Sequence, residues 1–143
     1  MTFEKQQSAG YLANHMARLF ATGLARRIKP LGLAPGQFMV LLELWENDGV
    51  TQADLVVRLD VEQATLSHTL ARMLRDGLIT RRASDTDKRS QVIHLTDKAH
   101  DLRAPATTAA QAQNEQALSG MSRDEQAQFT QLMTKAIHAM QRG

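Results

Sequence analysis

The chain has 143 residues, a net charge of +2 and no cysteine. That length fits one domain with a real core, and the missing thiols exclude disulfide staples, thiol-based sensing and thiolate metal sites. No apolar run approaches the roughly 20 residues of a membrane-spanning helix, and the opening MTFEKQQSAG lacks a signal peptide's apolar stretch, so a cytoplasmic protein without membrane contact is expected. Charge is unevenly spread. Residues 1–40 carry Lys5, Arg18, Arg26, Arg27 and Lys29 against Glu4, whereas residues 51–96 hold seven basic and six acidic side chains.

Apolar residues at Leu12, Met16, Leu19, Phe20, Leu24 and Ile28 follow one helical stripe and predict a long first helix over 11–31. The segment LGLAPG breaks it, and Pro35 opens a second helix reaching Asn47 with Phe38, Leu41, Leu42 and Trp45 inward. Thr51 and Asp54 read as an N-cap pair for a short third helix that buries Leu55, Val56 and Leu59. Asp60 and Val61 then form a turn, where aspartate tolerates the left-handed backbone of a sharp corner. A fourth helix over 62–76 buries Leu66, Leu70, Met73 and Leu74, with Gly77 beyond its end. Residues 78–82 and 91–95 alternate as two strands around the polar loop ASDTDKRS.

Thr96 caps a fifth helix continuing to about residue 119, with Pro105 placed to kink or divide it. Ser122 and Glu125 form a capping box for a sixth, whose stripe is Phe129, Leu132, Met133, Ala136, Ile137 and Met140. The fold class expected is mostly α with a small β-hairpin wing: a winged helix-turn-helix flanked by N- and C-terminal helices. The first, fifth and sixth helices carry more apolar stripe than one compact domain covers, which predicts a homodimer. Two reading helices would then meet successive major grooves about 34 Å apart.

On the fourth helix Ala64, His68, Ala71, Arg72 and Arg75 oppose the core stripe. Small residues there let a helix approach base edges, and Gln63, Thr65, Ser67 and His68 bring hydrogen-bonding groups to the same end. Thr51 and Gln52, at the start of the third helix, join the candidate DNA contacts. In the hairpin, Arg81 stands on the rising strand, and Asp87, two residues before Arg89, can fix that guanidinium for a minor groove. Lys88 is placed for phosphate. The five histidines do not cluster with other ligands in sequence, so no metal site is expected. No nucleophile, base and orienting group come at catalytic spacing, which argues against an enzyme and leaves an interaction or architectural module as the alternative to a DNA reader.

The runs LAPGQF, TQADLVVRL, EQATLSHTLARMLRDGLITRR and DTDKRSQVIHLT resemble the MarR family of winged-helix transcriptional regulators, and its SlyA-like branch in particular. His68, Asp60 and Ala99 stand where the family often has arginine, glycine and glycine. The resemblance implies one MarR-type domain over 1–143, with 1–32 and 97–143 as dimerization helices and 33–96 as the DNA-binding lobe. It implies a repressor bound to a pseudo-palindromic double-stranded operator, without cofactor. It further implies release by a phenolic or otherwise aromatic acid held between dimerization helices and DNA-binding lobe. Tyr11, His15, Met16, Arg18, Phe38 and Met39 are the candidate ligand contacts on the two helices that would line such a pocket.

Overall fold

The computed structural model describes residues 2–86 and 90–142. After a 3-10 turn at Lys5–Gln7, α1 spans Ala9–Ile28, and the Ser8 hydroxyl accepts from the Tyr11 amide at 3.2 Å. The first helix was expected to reach residue 31, but its last turn is a separate 3-10 turn, Lys29–Leu31. Pro30 lacks the amide that would continue the ladder, and Gly32 turns the chain at φ 77°.

Pro35 sits in the first turn of α2, Pro35–Glu46, where its missing amide costs no helical bond. α2 is the centre of the molecule, packed by α1, by the helices and strand that follow it, and by the fifth helix. It therefore buries more than one face: Phe38, Val40, Leu41, Leu44 and Trp45 are buried, together with Gln37. Leu42, expected inward, is only half-buried. Phe38 meets Trp45 edge-on at 6.0 Å, and the Trp45 indole N–H donates to the Ala99 carbonyl at 3.1 Å.

Val50–Thr51 form β1, a strand that sequence alternation did not indicate, since two residues have no readable period. Thr51 then caps α3, Gln52–Leu59. Its hydroxyl accepts from the Asp54 amide at 3.1 Å and the Asp54 carboxylate accepts from the Thr51 amide at 3.0 Å, closing the expected capping box. Asp60 follows at φ 52°, ψ 45°, the left-handed corner expected of it.

The fourth helix, α4, covers Gln63–Arg75 and buries Leu66, Leu70 and Met73. Leu74, expected in the core, is 37% exposed. It lies off the 66–70–73 line, at the edge of the buried stripe. Gly77 at φ 73° ends the helix, with its amide donating to the Leu74 carbonyl and the Leu78 amide to that of Met73, the paired closure of a Schellman motif. Leu78 is consumed by that closure, so β2 starts one residue later than expected, at Ile79–Ala83. β3, Gln91–Leu95, is central in an antiparallel sheet of order β1-β3-β2. Ile93 pairs with Val50 on one side and Arg81 on the other. Only Ile79 of β2 is buried, because the hairpin leaves the body after its first residue.

The fifth helix, α5, runs unbroken over Asp97–Ala117 with Pro105 inside. Asp101 and Pro105 are both exposed, so the carbonyl that Pro105 deprives of its donor can be met by solvent. The Thr107 hydroxyl donates to the Arg103 carbonyl at 2.7 Å in the same turn. At its start the Thr96 hydroxyl accepts from the Ala99 amide at 3.2 Å and donates to the Gly77 carbonyl at 2.7 Å. α6 spans Arg123–Arg142, opened by the expected Ser122–Glu125 box. No described residue of α6 is buried. Leu132, Ile137 and Met140 are 61%, 48% and 72% exposed.

Candidate nucleic-acid interface and effector cavity

Four of the candidate DNA contacts, drawn from three elements, share one concavity. Thr51 and Gln52 at the start of α3, Gln63 at the start of α4 and Arg81 on β2 line an open cleft of about 530 Å³, with Ser90, Gln91 and Ile93 on the wing side. The cleft exists because the helix starts and the hairpin diverge from the Val50–Ile93–Arg81 row of the sheet. α3 lines the cleft along one face, with Gln52, Ala53, Val56 and Val57, and α4 through its first residue, Gln63.

The Gln52 side chain donates to the Ser67 hydroxyl at 2.7 Å, locking the first turn of α3 against α4. Ser67 keeps its own hydroxyl proton as a donor. Ala64, Thr65, Ser67, His68 and Arg72 are all exposed, on the side of α4 away from Leu66, Leu70 and Met73. Asp87, Lys88 and Arg89 lie outside the described residues. Thr51 amide and hydroxyl bonds hold the Asp54 carboxyl below its ordinary value, with Arg58 adding a smaller pull.

Sequence reading missed Ser90 and Gln91 of the wing cleft. Gln91 is the exposed first residue of β3, paired with Ala83 at the outer end of the hairpin.

A separate open cavity of about 550 Å³ lies among α1, α2 and α5. Phe38 and Met39, the two candidate ligand contacts on α2, line it, with Phe20, Leu24 and Leu42 among its other apolar residues. Tyr11, His15 and Arg18 are exposed and outside this lining. The Lys5 ammonium sits 5.7 Å from the Tyr11 ring centre. Met16 is half-buried in a neighbouring groove of about 390 Å³ between α1, α5 and the start of α6. The α5 contribution, Thr107, Ala110, Gln111, Gln113 and Asn114, was not foreseen. Its signal was the scarcity of large apolar residues over 104–117: small and amide side chains on a helix that packs against α1 leave space. Among the described residues no group of three or more His, Cys, Asp or Glu is arranged to hold a metal ion, and no helix is long and apolar enough to cross a membrane.

Comparison with known proteins places this geometry. The MarR family model matches residues 31–90, beginning at the last residue of the 3-10 turn that follows α1. The HTH-type transcriptional regulator MgrA of Staphylococcus aureus is 35% identical over 111 residues, 78% of this chain and 74% of MgrA. A MarR transcriptional regulator from Methanosarcina mazei Go1 superposes with a TM-score of 0.87 at 22% identity, covering 93% of this chain and 96% of that one. A MarR family regulator from Listeria monocytogenes, solved complexed with 26mer DNA, gives 0.84 at 24% identity, covering 98% and 90%. With sequence identity of this extent carried on this fold, the chain belongs to the MarR family of winged-helix transcriptional regulators.

Proposed function

We propose that the protein is a homodimeric repressor that binds a pseudo-palindromic operator through α4 and the wing and is released by a small aromatic or phenolic ligand. The observation that carries this reading is the outer face of α4. Its N-terminal half offers only small or hydrogen-bonding side chains, all exposed, beside a wing cleft edged by Arg81. Such a face can enter a major groove without holding the backbone off the bases. In this reading Gln63, Thr65, Ser67 and His68 face base edges, and Thr51, Gln52, Arg72 and Arg81 take phosphate or groove walls. Lys88 and Arg89 add wing contacts, with Asp87 orienting Arg89.

The segments 1–32 and 97–143 serve as dimerization helices around the 33–96 lobe. Support comes from α6, whose exposed Leu132, Ile137 and Met140 would each gain up to about 1.5–3 kcal/mol by full burial. Ligand in the α1–α2–α5 cavity would act by population shift, holding the two lobes at a spacing that no longer fits successive grooves. The cavity touches both α1 and α2, so its occupant bears on both parts at once.

Binding measured over a salt series, on fragments selected from the source genome, tests the reading. A specific regulator loses affinity steeply, on the order of 10³-fold between about 50 and 200 mM salt, while still preferring one palindrome. A flat salt response with no sequence preference overturns it. His68→Ala should relax preference at one base position by about 1–3 kcal/mol, whereas Arg81→Ala should weaken all sequences alike.

A further inference from the structure

We propose that the α1–α2–α5 cavity selects an uncharged aromatic ligand bearing a hydrogen-bond acceptor and discriminates against the corresponding carboxylate. The inference rests on the effector reading of this cavity and sharpens it, against the aromatic acid that the family resemblance implies.

Charge is the first ground. Among the described residues, no Lys, Arg, His, Asp or Glu lines the cavity. A carboxylate taken out of water there would lose hydration without gaining a counter-ion, a loss that a neutral amide or carbonyl escapes.

The distribution of polar groups is the second. They are confined to α5, where Thr107, Gln111 and Asn114 recur at helical spacing beside Gln113, opposite the apolar wall of Leu24, Phe38 and Leu42. A flat apolar body with one polar edge matches that division.

The third ground is the state of Gln113. It is 9% exposed, and its Oε1 accepts from the Arg27 Nε at 3.1 Å. An arginine N–H only donates, so the amide oxygen must face Arg27, and the NH₂ group is what remains to offer elsewhere. Arg27 Nη2 donates to the Gln116 side-chain oxygen, so neutral amides satisfy the guanidinium, which is absent from the cavity lining. With Gln111 and Asn114 in the same wall, the cavity carries amide donors without a formal charge, suited to a carbonyl, carboxamide or phenol oxygen.

Calorimetric titration of the full chain at neutral pH with naphthamide and naphthoate, matched in shape and differing in charge, tests this. The amide should bind at least about tenfold tighter, and Met39→Trp, which fills the cavity from an exposed position, should abolish that binding. Gln111→Arg combined with Glu115→Gln, so that the new guanidinium is not claimed by the carboxylate one turn on, should raise naphthoate affinity by about tenfold by supplying the missing cation. Equal or tighter naphthoate binding to the natural chain, lost in Met39→Trp, overturns the charge selectivity while leaving an effector cavity. If neither compound binds and neither alters operator affinity, the effector reading falls and the selectivity with it.

Discussion

Gln37 is the one polar side chain buried in the central helix, and two bonds account for it. Its Oε1 accepts from the Ala34 amide at 3.1 Å, and its Nε2 donates to the Asp76 carboxylate at 3.0 Å. One side chain therefore caps the start of α2 and pins the end of α4, the helix proposed to read DNA. The Gln37 bond, with Arg75 and Lys98 helping, holds the Asp76 carboxyl below its ordinary value despite the opposing effect of desolvation. Because the folded pKa lies below the unfolded value of about 4, this contribution to stability is complete above about pH 5. It is lost as pH falls through the lower, folded value. Gln37→Leu should accordingly lower the melting temperature at pH 7, and the gap from the natural chain should narrow as the pH is taken below about 4, leaving the part due to the Ala34 cap, which does not titrate. A gap that persists unchanged in acid would assign the loss to that cap and to packing.

At the level of elements, the crossing of α1 and α5 is set by one glycine. A Cβ built at Gly23 would sit 2.3 Å from the Gln113 Oε1, so α1 can lie this close only without a side chain there. Gln113 is buried and bonded to Arg27, which removes the freedom that would let its tip swing aside. Gly23→Ala should cost about 1–3 kcal/mol in denaturant unfolding, and adding Gln113→Ala should restore most of it, since the clash and its partner then vanish together. A double mutant no more stable than the single would mean that the helix, not the contact, carries the penalty.

These elements also mark what sequence made legible. The Thr51–Asp54 and Ser122–Glu125 boxes, the Asp60 corner and the Gly77 closure were readable because each is decided by residues within a few positions of one another. The Gln37–Asp76 and Arg27–Gln113 bonds span 39 and 86 residues, and no local pattern encodes such a partner. The same holds for β1, which is a strand only because β3 returns to pair with it. For the candidate interface, sequence found the face of α4 and the residues of the wing cleft that start α3 and α4. For the cavity it named Phe38 and Met39 of α2, chose α1 candidates, Tyr11, His15, Met16 and Arg18, that lie outside the lining, and missed α5, because small and amide residues announce neither core nor site until a neighbour packs against them.

For the whole molecule, the unmatched surface of α6 is the strongest demand for a second copy. A monomer would leave Leu132, Ile137 and Met140 in water along a helix with no buried residue among those described. Sedimentation should show a dimer for the natural chain and a monomer for Leu132→Asp with Ile137→Asp, at unchanged helix content. Operator affinity should drop by at least about 10²-fold, because two half-sites would no longer be bound as one unit. An unaltered dimer would move the interface elsewhere. Within each copy, Thr51 is both the last rung of β1 and the cap of α3, and β2 leaves directly from the Gly77–Leu78 closure of α4. Flap and prong are thus spliced at both ends of the helix pair, so a push on one should be felt by the other.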